Sequence, residues 1–239
     1  MENKGGNFLA ISIVAAAIII GGSFIYSAGL KNNSNQQANA GKNLGNNGAP
    51  VLESPQIDDD VVLGDENAPV TVFVFGDYQC PYCGKFFHET ESLIVKNYVD
   101  AGKVKLVYKD MTFLGEESVA AAEAAECARD QKKYWQFHDA LYEIEYQESL
   151  KGNNEGNGNL NRATFEKIAS GLGMDTGEFL KCFDSKKYES EVRKDNEEAG
   201  KVMDRVSSPT IFVDGAMIQG AQPYDVFRSA IESALAEKK

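Results

Sequence analysis

Positive charge is scarce in this sequence. Its 239 residues include 24 Lys and Arg against 36 Asp and Glu, which gives a formal net charge of −12. A nucleic-acid-binding protein needs a basic face to neutralise phosphates, and so does a protein that docks electrostatically on anionic lipids. The composition therefore argues against both classes. Since 43% of the residues are hydrophobic, wholesale disorder is also excluded.

Cysteine is scarce as well, with four residues in the chain. That number is too small for a scaffold held together mainly by disulfides. The number is nevertheless even, and two of the four, Cys80 and Cys83, are close neighbours in the sequence.

Residues 8–30 lack charge entirely. A helix of this length is about 35 Å long, which is enough to cross a hydrocarbon core of roughly 30 Å. We therefore expect residues 1–30 to be a signal anchor that holds the body on the extracytoplasmic side of the cell membrane as a single-pass protein. Cleavage of the segment stays an alternative, because Ser27 and Gly29 are small and suitably spaced.

Large apolar side chains are nearly absent from the segment that follows. Thirteen of the 17 residues at 32–48 are Asn, Gln, Gly or Ser. Such a segment cannot bury enough surface to offset the entropy cost of ordering it. We predict a flexible linker over 31–61, with a reach of roughly 30 Å, and one soluble domain over 62–239.

The pattern of this domain predicts an α/β fold. Residues 69–76 (PVTVFVFG) form an unbroken apolar run that is typical of a strand buried on both faces. Asp214-Gly215 is a strong signal for a two-residue hairpin turn. The predicted elements are strands at 69–76 and 104–108 with a helix between them, helices that fill an insertion at about 113–204, strands at 210–213 and 216–219, and a last helix at 223–237.

The motif Cys80-Pro81-Tyr82-Cys83 lies where the first strand gives way to a helix. Unpaired backbone N–H groups and the helix dipole at a helix start favour a thiolate over a thiol. Cysteines in such sites have pKa values of about 3.5 to 7.5, against the usual 8.5 or so. We predict that Cys80 is an exposed nucleophile and that the more buried Cys83 resolves the mixed disulfide, with Pro81 and Tyr82 as the active-site dipeptide.

Two other interpretations of the C-x-x-C motif stay open. It could be half of a zinc site, although the second ligand pair is missing, because Cys127 and Cys182 are far apart and both histidines are isolated. It could also be a purely structural disulfide. Neither a metal nor a cofactor is predicted. His138 lies in an aromatic helix and is expected to be packed or hydrogen-bonded instead of catalytic.

Three segments of the chain resemble the DsbA-like branch of the thioredoxin superfamily: VVLGDENAPVTVFVFGDYQCPYCGKFF, AAAEAAECARDQKKYWQFHDALYE and VSSPTIFVDG. The resemblance covers residues 62–237. It implies a thioredoxin-like α/β fold with a helical insertion, in agreement with the predicted order of elements. It also implies that the Ser208–Pro209 peptide is cis and faces the two cysteines, so that Ser208, Pro209 and Thr210 bind an extended substrate segment.

The chain departs from the family pattern at Val74. Many members have an acidic residue at this position, six residues before the nucleophile, where it helps proton transfer. That role is either unfilled here or passed to Asp77 or to a water. The dipeptide Pro81-Tyr82 also lacks the histidine of the most oxidising members.

Cys127 and Cys182 are the remaining cysteines. If both lie on helices of the insertion, we expect a structural disulfide in an oxidising compartment. Closing a loop of about 55 residues would contribute roughly 4 kcal/mol in the chain-entropy model. A redox relay to Cys83 and a pair of buried free thiols are the alternatives.

The resemblance implies a thiol–disulfide oxidoreductase that acts on unfolded or partly folded exported proteins. We expect a disulfide oxidase that is reoxidised by an integral membrane quinone-linked partner of DsbB or vitamin K epoxide reductase type. A reductase or isomerase of the same fold is the nearest alternative, and a non-catalytic binding module is a more distant one.

Overall fold

A computed structural model of the protein describes residues 52–152 and 155–239. Within these two ranges, four strands form one sheet in the order β2-β1-β3-β4. Only the β1–β2 pairing is parallel among these strands, since β3 runs antiparallel to both β1 and β4. The strands are β1 (Val70–Gly76), β2 (Val104–Asp110), β3 (Thr210–Val213) and β4 (Ala216–Gln219).

Helices connect and cover the strands. Within the described residues, five of them lie between β2 and β3, at the position of the predicted insertion, so the thioredoxin-like order of elements with a helical insertion is confirmed. Two segments of the first helix, Phe87–Glu91 and Val95–Val99, are π-helical. The helices are α1 (Pro81–Phe86 continued through Phe87–Glu91, Ser92–Ile94 and Val95–Val99), α2 (Glu116–Arg129), α3 (Tyr134–Leu150), α4 (Arg162–Gly171), α5 (Thr176–Asp184), α6 (Glu189–Val202) and α7 (Tyr224–Glu237).

Both faces of β1 are buried, as its unbroken apolar run predicts. Val72 and Val74 belong to the larger hydrophobic core on one face, whereas Phe73 and Phe75 belong to a smaller core on the other. This division follows from the alternation of side chains along a strand. The smaller core is closed by residues of α6, including Val202. The sheet is therefore covered on both sides.

The hairpin and the helix ends show what local sequence specifies. Asp214 and Gly215 have φ values of 49° and 91°, as a two-residue turn with both φ angles positive requires. The start of α6 at Glu189 is limited by the backbone that precedes it. Lys186 has a φ of 52°, which a right-handed helix cannot contain.

Part of the segment predicted as flexible linker packs against the domain. The Lys109 side chain is fully buried, and its Nζ lies 2.8 Å from an oxygen of Asp58 and 2.7 Å from one of Asp60. A buried ammonium group is tolerated only when charged partners surround it. Residues 52–61 therefore belong to the domain, and the predicted boundary at 62 is too late. Composition could not reveal this, because the segment is held mainly by ion pairs and hydrogen bonds to distant residues, among them Lys109 and Glu198.

Among residues 52–152 and 155–239, no helix has the length and apolar character needed to span a bilayer. The anchor predicted in residues 1–30 and the first part of the linker lie outside the described residues.

Candidate active site

The redox motif lies at the junction of β1 and α1. Cys80 is the residue just before the first turn of α1, and Pro81 opens that turn. Proline is favoured there because its missing N–H would have had no helical partner. The Cys80 N–H donates to the Asp77 carbonyl at 3.0 Å and closes the connection from the strand. The Cys80 sulfur is thus held at the amino end of the helix.

Several donors stabilise the Cys80 thiolate. The largest contribution comes from the Cys83 thiol, which donates a hydrogen bond to the Cys80 sulfur. Burial opposes ionisation, while the Ser208 side chain and the backbone N–H groups of Cys83 and Tyr82 also favour the thiolate. Together they lower the pKa of Cys80 from 9.0 to about 6. Much of Cys80 is therefore ionised at neutral pH.

Cys83 has the opposite tendency. Burial raises the pKa of the Cys83 thiol well above its usual value, and the neighbouring Cys80 sulfur raises it further. The arrangement separates the two sulfurs into a thiolate and a protonated thiol. Cys83 is the more deeply buried, as the sequence predicts, but Cys80 is only 7% exposed and is not the open nucleophile expected from the motif. Of the dipeptide, Tyr82 is exposed to solvent.

A loop from the other end of the chain covers Cys80. The Ser208–Pro209 peptide is cis, and the Cys80 sulfur lies 3.6 Å from the Ser208 carbonyl oxygen. The loop leads directly into β3, which begins at Thr210. The Thr210 hydroxyl donates to the Ser207 carbonyl at 2.7 Å and ties the loop to the strand. The sheet therefore brings together the motif and the Ser208–Pro209–Thr210 segment, which lie far apart in the sequence.

Asp77, the candidate for proton transfer, is engaged by the backbone. Its two carboxylate oxygens accept hydrogen bonds from the N–H groups of Gln79 at 2.9 Å and Leu114 at 3.2 Å. Burial raises the pKa of Asp77. Val74, which occupies the position of the family's acidic residue, is buried within β1 and has no group that can transfer a proton. The proton-transfer role of Asp77 stays a prediction.

A buried polar network next to the motif was not foreseen from the sequence. The Tyr78 hydroxyl lies 3.1 Å from Nδ1 of His138, and Nε2 of His138 lies 3.3 Å from Glu91. His138 is fully buried, which agrees with the expectation of a packed histidine. Only its position in an aromatic helix could be seen in the sequence. The partners come from α1 and from the β1–α1 connection, and no local pattern links them.

Close approach of two tyrosines explains the glycine at the end of β1. The Tyr108 and Tyr142 hydroxyls are 2.6 Å apart. A Cβ atom on Gly76 would lie 2.8 Å from each of these oxygens, which is too close for a carbon atom. The β1 end that precedes the motif is therefore tightly packed.

The second pair of cysteines forms a disulfide. Cys127 on α2 and Cys182 on α5 are bonded and buried. The bond ties two helices of the insertion together, whereas Cys80 and Cys83 are free thiols.

Comparisons with known proteins agree with this geometry. The family model described as thioredoxin matches residues 56–233. The chain is 33% identical to disulfide bond formation protein D of Bacillus subtilis over 192 residues, which covers 79% of this chain and 82% of that protein. It is 31% identical to the probable disulfide bond formation protein D of Bacillus anthracis, covering 72% and 77% of the two chains.

Solved structures show the same fold. The crystal structure of oxidised BdbD from Bacillus subtilis has a TM-score of 0.70 and 29% identity, covering 79% of this chain and 100% of that one. DsbA of Chlamydia trachomatis, at 19% identity, has a TM-score of 0.64 and covers 78% of this chain and 96% of its own. The chain therefore belongs to the thioredoxin family and is a thiol–disulfide oxidoreductase.

Proposed function

We propose that this protein is a disulfide oxidase that introduces disulfides into exported proteins on the extracytoplasmic side of the membrane. The observation that carries the proposal is the opposite perturbation of two neighbouring thiols. The pKa of Cys80 falls to about 6, while that of Cys83 rises. A stabilised Cys80 thiolate favours the reduced enzyme, and a stable reduced form is what makes its disulfide oxidising.

The reaction begins with the oxidised enzyme, in which Cys80 and Cys83 are bonded. A substrate thiolate attacks the Cys80 sulfur, and the Cys80–Cys83 bond breaks as the new bond forms. Cys83 leaves with the electron pair and takes up a proton, as its raised pKa requires. A second substrate thiolate then attacks the substrate sulfur of the mixed disulfide and releases Cys80 as a thiolate. Two electrons pass from the substrate to the enzyme.

The Ser208 carbonyl supports the docking of an extended substrate. It lies 3.6 Å from the Cys80 sulfur, two residues before the start of β3 at Thr210. A peptide that places its cysteine on Cys80 can pair with this backbone in the manner of an added strand. Tyr82, exposed beside the motif, offers an apolar ring to the same peptide.

The place of action is inferred from two features. The Cys127–Cys182 disulfide is of a kind that persists in oxidising compartments. The uncharged run at 8–30 has the length of a membrane anchor. Reoxidation is assigned to an integral membrane quinone-linked protein of DsbB or vitamin K epoxide reductase type, and an anchor would keep the active site near such a partner.

The reduction potential tests the direction of the reaction. A pKa of about 6 for Cys80 lies between those of thioredoxin, about 7, and DsbA, about 3.5. We therefore expect a potential between about −270 mV and about −120 mV. The measurement is equilibration of the full chain with glutathione buffers, followed by alkylation and mass analysis of the Cys80–Cys83 peptide.

Refolding of a reduced substrate protein provides the second part of the test. The oxidised enzyme should form substrate disulfides at a rate that depends on Cys80, and Cys80→Ser should be inactive. A potential at or below about −270 mV would assign the protein to the reductases. Indifference of substrate refolding to Cys80→Ser would assign it to the non-catalytic binding proteins.

A further inference from the structure

A small cavity lies beside the nucleophile. Its volume is about 10 Å³, and its walls include Cys80, Gln79 and Glu145. This is close to the smallest volume that holds one water molecule, of about 10–15 Å³. One wall comes from the motif at the start of α1 and the other from α3, so Cys80 and Glu145 of the helical insertion line the same cavity.

Glu145 differs from the surface acids of this helix. Burial raises the pKa of Glu145 to about 7, and the hydrogen bond from the Asn159 side chain opposes that rise. An acid with a pKa near the working pH is suited to accept and release protons. The acidic groups that face it across the neighbouring elements are Glu117 of α2, Glu148 of α3 and Asp77 after β1, together with Glu155, which lines the same cavity.

Gln79 provides a second observation at the cavity. Its Oε1 accepts a hydrogen bond from the Ser118 hydroxyl at 3.1 Å, which fixes the orientation of the amide. Its Nε2 is buried and has no hydrogen-bond partner among the residues that the structure describes. Buried donors of this kind are normally satisfied. An oxygen in the cavity, either of a water or of a group on the substrate, would serve both this amide and the Glu145 carboxylate.

We propose that Glu145 is the general base that takes the proton from the incoming substrate thiol at Cys80. The proposal rests on the proposed function, because it concerns the same exchange reaction. The substrate S–H bond breaks, and its proton passes to the Glu145 carboxylate directly or through a water in the cavity. The electron pair of the substrate sulfur forms the bond to Cys80, and Cys83 departs with the pair of the broken disulfide. Glu145 later returns the proton to solvent.

The test is the pH dependence of substrate oxidation by the full-length oxidised protein. The probe is a synthetic peptide with two reduced cysteines, and the readout is its second-order oxidation rate from about pH 5 to about pH 9. With a general base, the rate rises to about pH 7 and then levels off until the free substrate thiol itself ionises near pH 8.5. In Glu145→Gln, the rate should instead rise tenfold per pH unit up to about pH 8.5, because only free substrate thiolate reacts.

General bases typically contribute about 10²–10⁴-fold, but a thiol already ionises readily, so we expect Glu145→Gln to be about tenfold slower at pH 7. The two profiles should converge at about pH 9, where substrate thiolate is abundant. A structural defect would slow the reaction at every pH. A uniform loss, or a variant profile that keeps the break near pH 7, would overturn the proposal.

Two further variants make the result specific. Glu143→Gln changes an exposed acid of the same helix that pairs with His88, and it should match the wild-type profile. Asn159→Ala removes the hydrogen bond that lowers the pKa of Glu145, so the break should move to higher pH. This second variant keeps the carboxyl group and tests the assignment even if Glu145→Gln folds poorly.

Titration of the Cys80 thiolate by its ultraviolet absorbance separates a charge effect from proton transfer. If Glu145 acts only by repelling the Cys80 thiolate, Glu145→Gln should lower the pKa of Cys80, and the rate profile of the variant should keep its break near pH 7. That outcome would contradict the proposal. Loss of activity in Cys80→Ser tests the proposed function independently. That result can hold while the Glu145 proposal fails.

Discussion

The chain uses cysteine in two places and for two purposes. Cys80 and Cys83 are separated by two residues at the start of a helix and are free thiols. Cys127 and Cys182 are separated by 55 residues, lie on different helices and are bonded. Both pairs are buried, so burial does not distinguish them. The difference lies in the groups that face each sulfur, since only the first pair lies at a helix start and beside the Ser208 carbonyl.

This comparison teaches that the reactivity of a thiol depends on the donors around it. Burial alone raises the pKa of a thiol, as it does for Cys83. Cys80 is also buried, yet hydrogen bonds from Cys83, Ser208 and the helix backbone lower its pKa to about 6. The Cys80–Cys83 pair therefore combines a thiol of lowered pKa with a thiol of raised pKa. The Cys127–Cys182 pair is bonded and has no thiol to ionise.

Substitution of cysteines in each pair in turn should give the largest difference in activity. Cys80→Ser should reduce the oxidation of a reduced substrate by at least roughly a thousandfold, because the attacked sulfur is lost. The double variant Cys127→Ala/Cys182→Ala should retain activity within about twofold at a temperature where it is folded. The measurement is the rate of disulfide formation in a reduced substrate protein. A large loss of rate in the folded double variant would support the redox-relay alternative.

The structural pair should dominate stability instead. Cys127→Ala/Cys182→Ala opens a loop of about 55 residues, which should lower the free energy of unfolding by roughly 4 kcal/mol in the chain-entropy model. Urea unfolding followed by circular dichroism measures this loss. Cys80→Ser/Cys83→Ser, compared with the wild type in its reduced form at about pH 6, serves as the matched control and should lose much less. Equal losses from both double variants would remove the distinction between the pairs.

The sequence predicted the fold and the pair of thiols because both depend on local patterns. An apolar run of strand length, a proline just after a cysteine and an Asp-Gly turn each specify their own backbone. The Cys80–Ser208 contact was reached only through family resemblance, since 128 residues separate the two in the chain. The docking of residues 52–61 was missed, because it depends on a buried Lys109 whose acidic partners come from distant segments.

The position of Glu145 at the cavity beside Cys80 could not be foreseen for a similar reason. Its helix contains several acids, among them Glu143 and Glu148, and the sequence does not say which one turns towards Cys80. The position of α3 against the motif decides this, and it is set by tertiary packing. The partners of His138 were hidden in the same way. Long-range polar contacts are thus the part of the site that local patterns leave undetermined.

The pH dependence of stability sharpens the comparison further. The pKa of Cys80 is lower in the folded reduced protein, about 6 against 9.0, so its thiolate stabilises the fold fully above the unfolded value, and the effect is lost as the pH falls through the folded value. We expect the free energy of unfolding of the reduced wild type to exceed that of Cys80→Ser by a margin that grows with pH. Relative to pH 5, this margin should be larger by roughly 1.4 kcal/mol at pH 7 and by about 4 kcal/mol at pH 9.

Urea unfolding of both proteins under reducing conditions measures this difference. The Cys127–Cys182 disulfide must be absent from both, so each is made in the Cys127→Ala/Cys182→Ala background. A difference that does not change with pH would show that the Cys80 thiolate is no more stable in the folded protein than in the unfolded chain.

The smallest effect concerns the hydrogen bond within the active pair. The Cys83 thiol is the main cause of the low pKa of Cys80, so Cys83→Ala should raise that pKa. Cys83→Ser keeps a hydroxyl donor at nearly the same place and should raise it less. A hydrogen bond to a charged group contributes about 1.5–3 kcal/mol, which corresponds to a separation of about one to two pH units between the variants. Alkylation rates of Cys80 as a function of pH measure both values. Coincident midpoints at the wild-type value would mean that Ser208 and the helix start stabilise the thiolate without Cys83, which would then act only as the resolving sulfur.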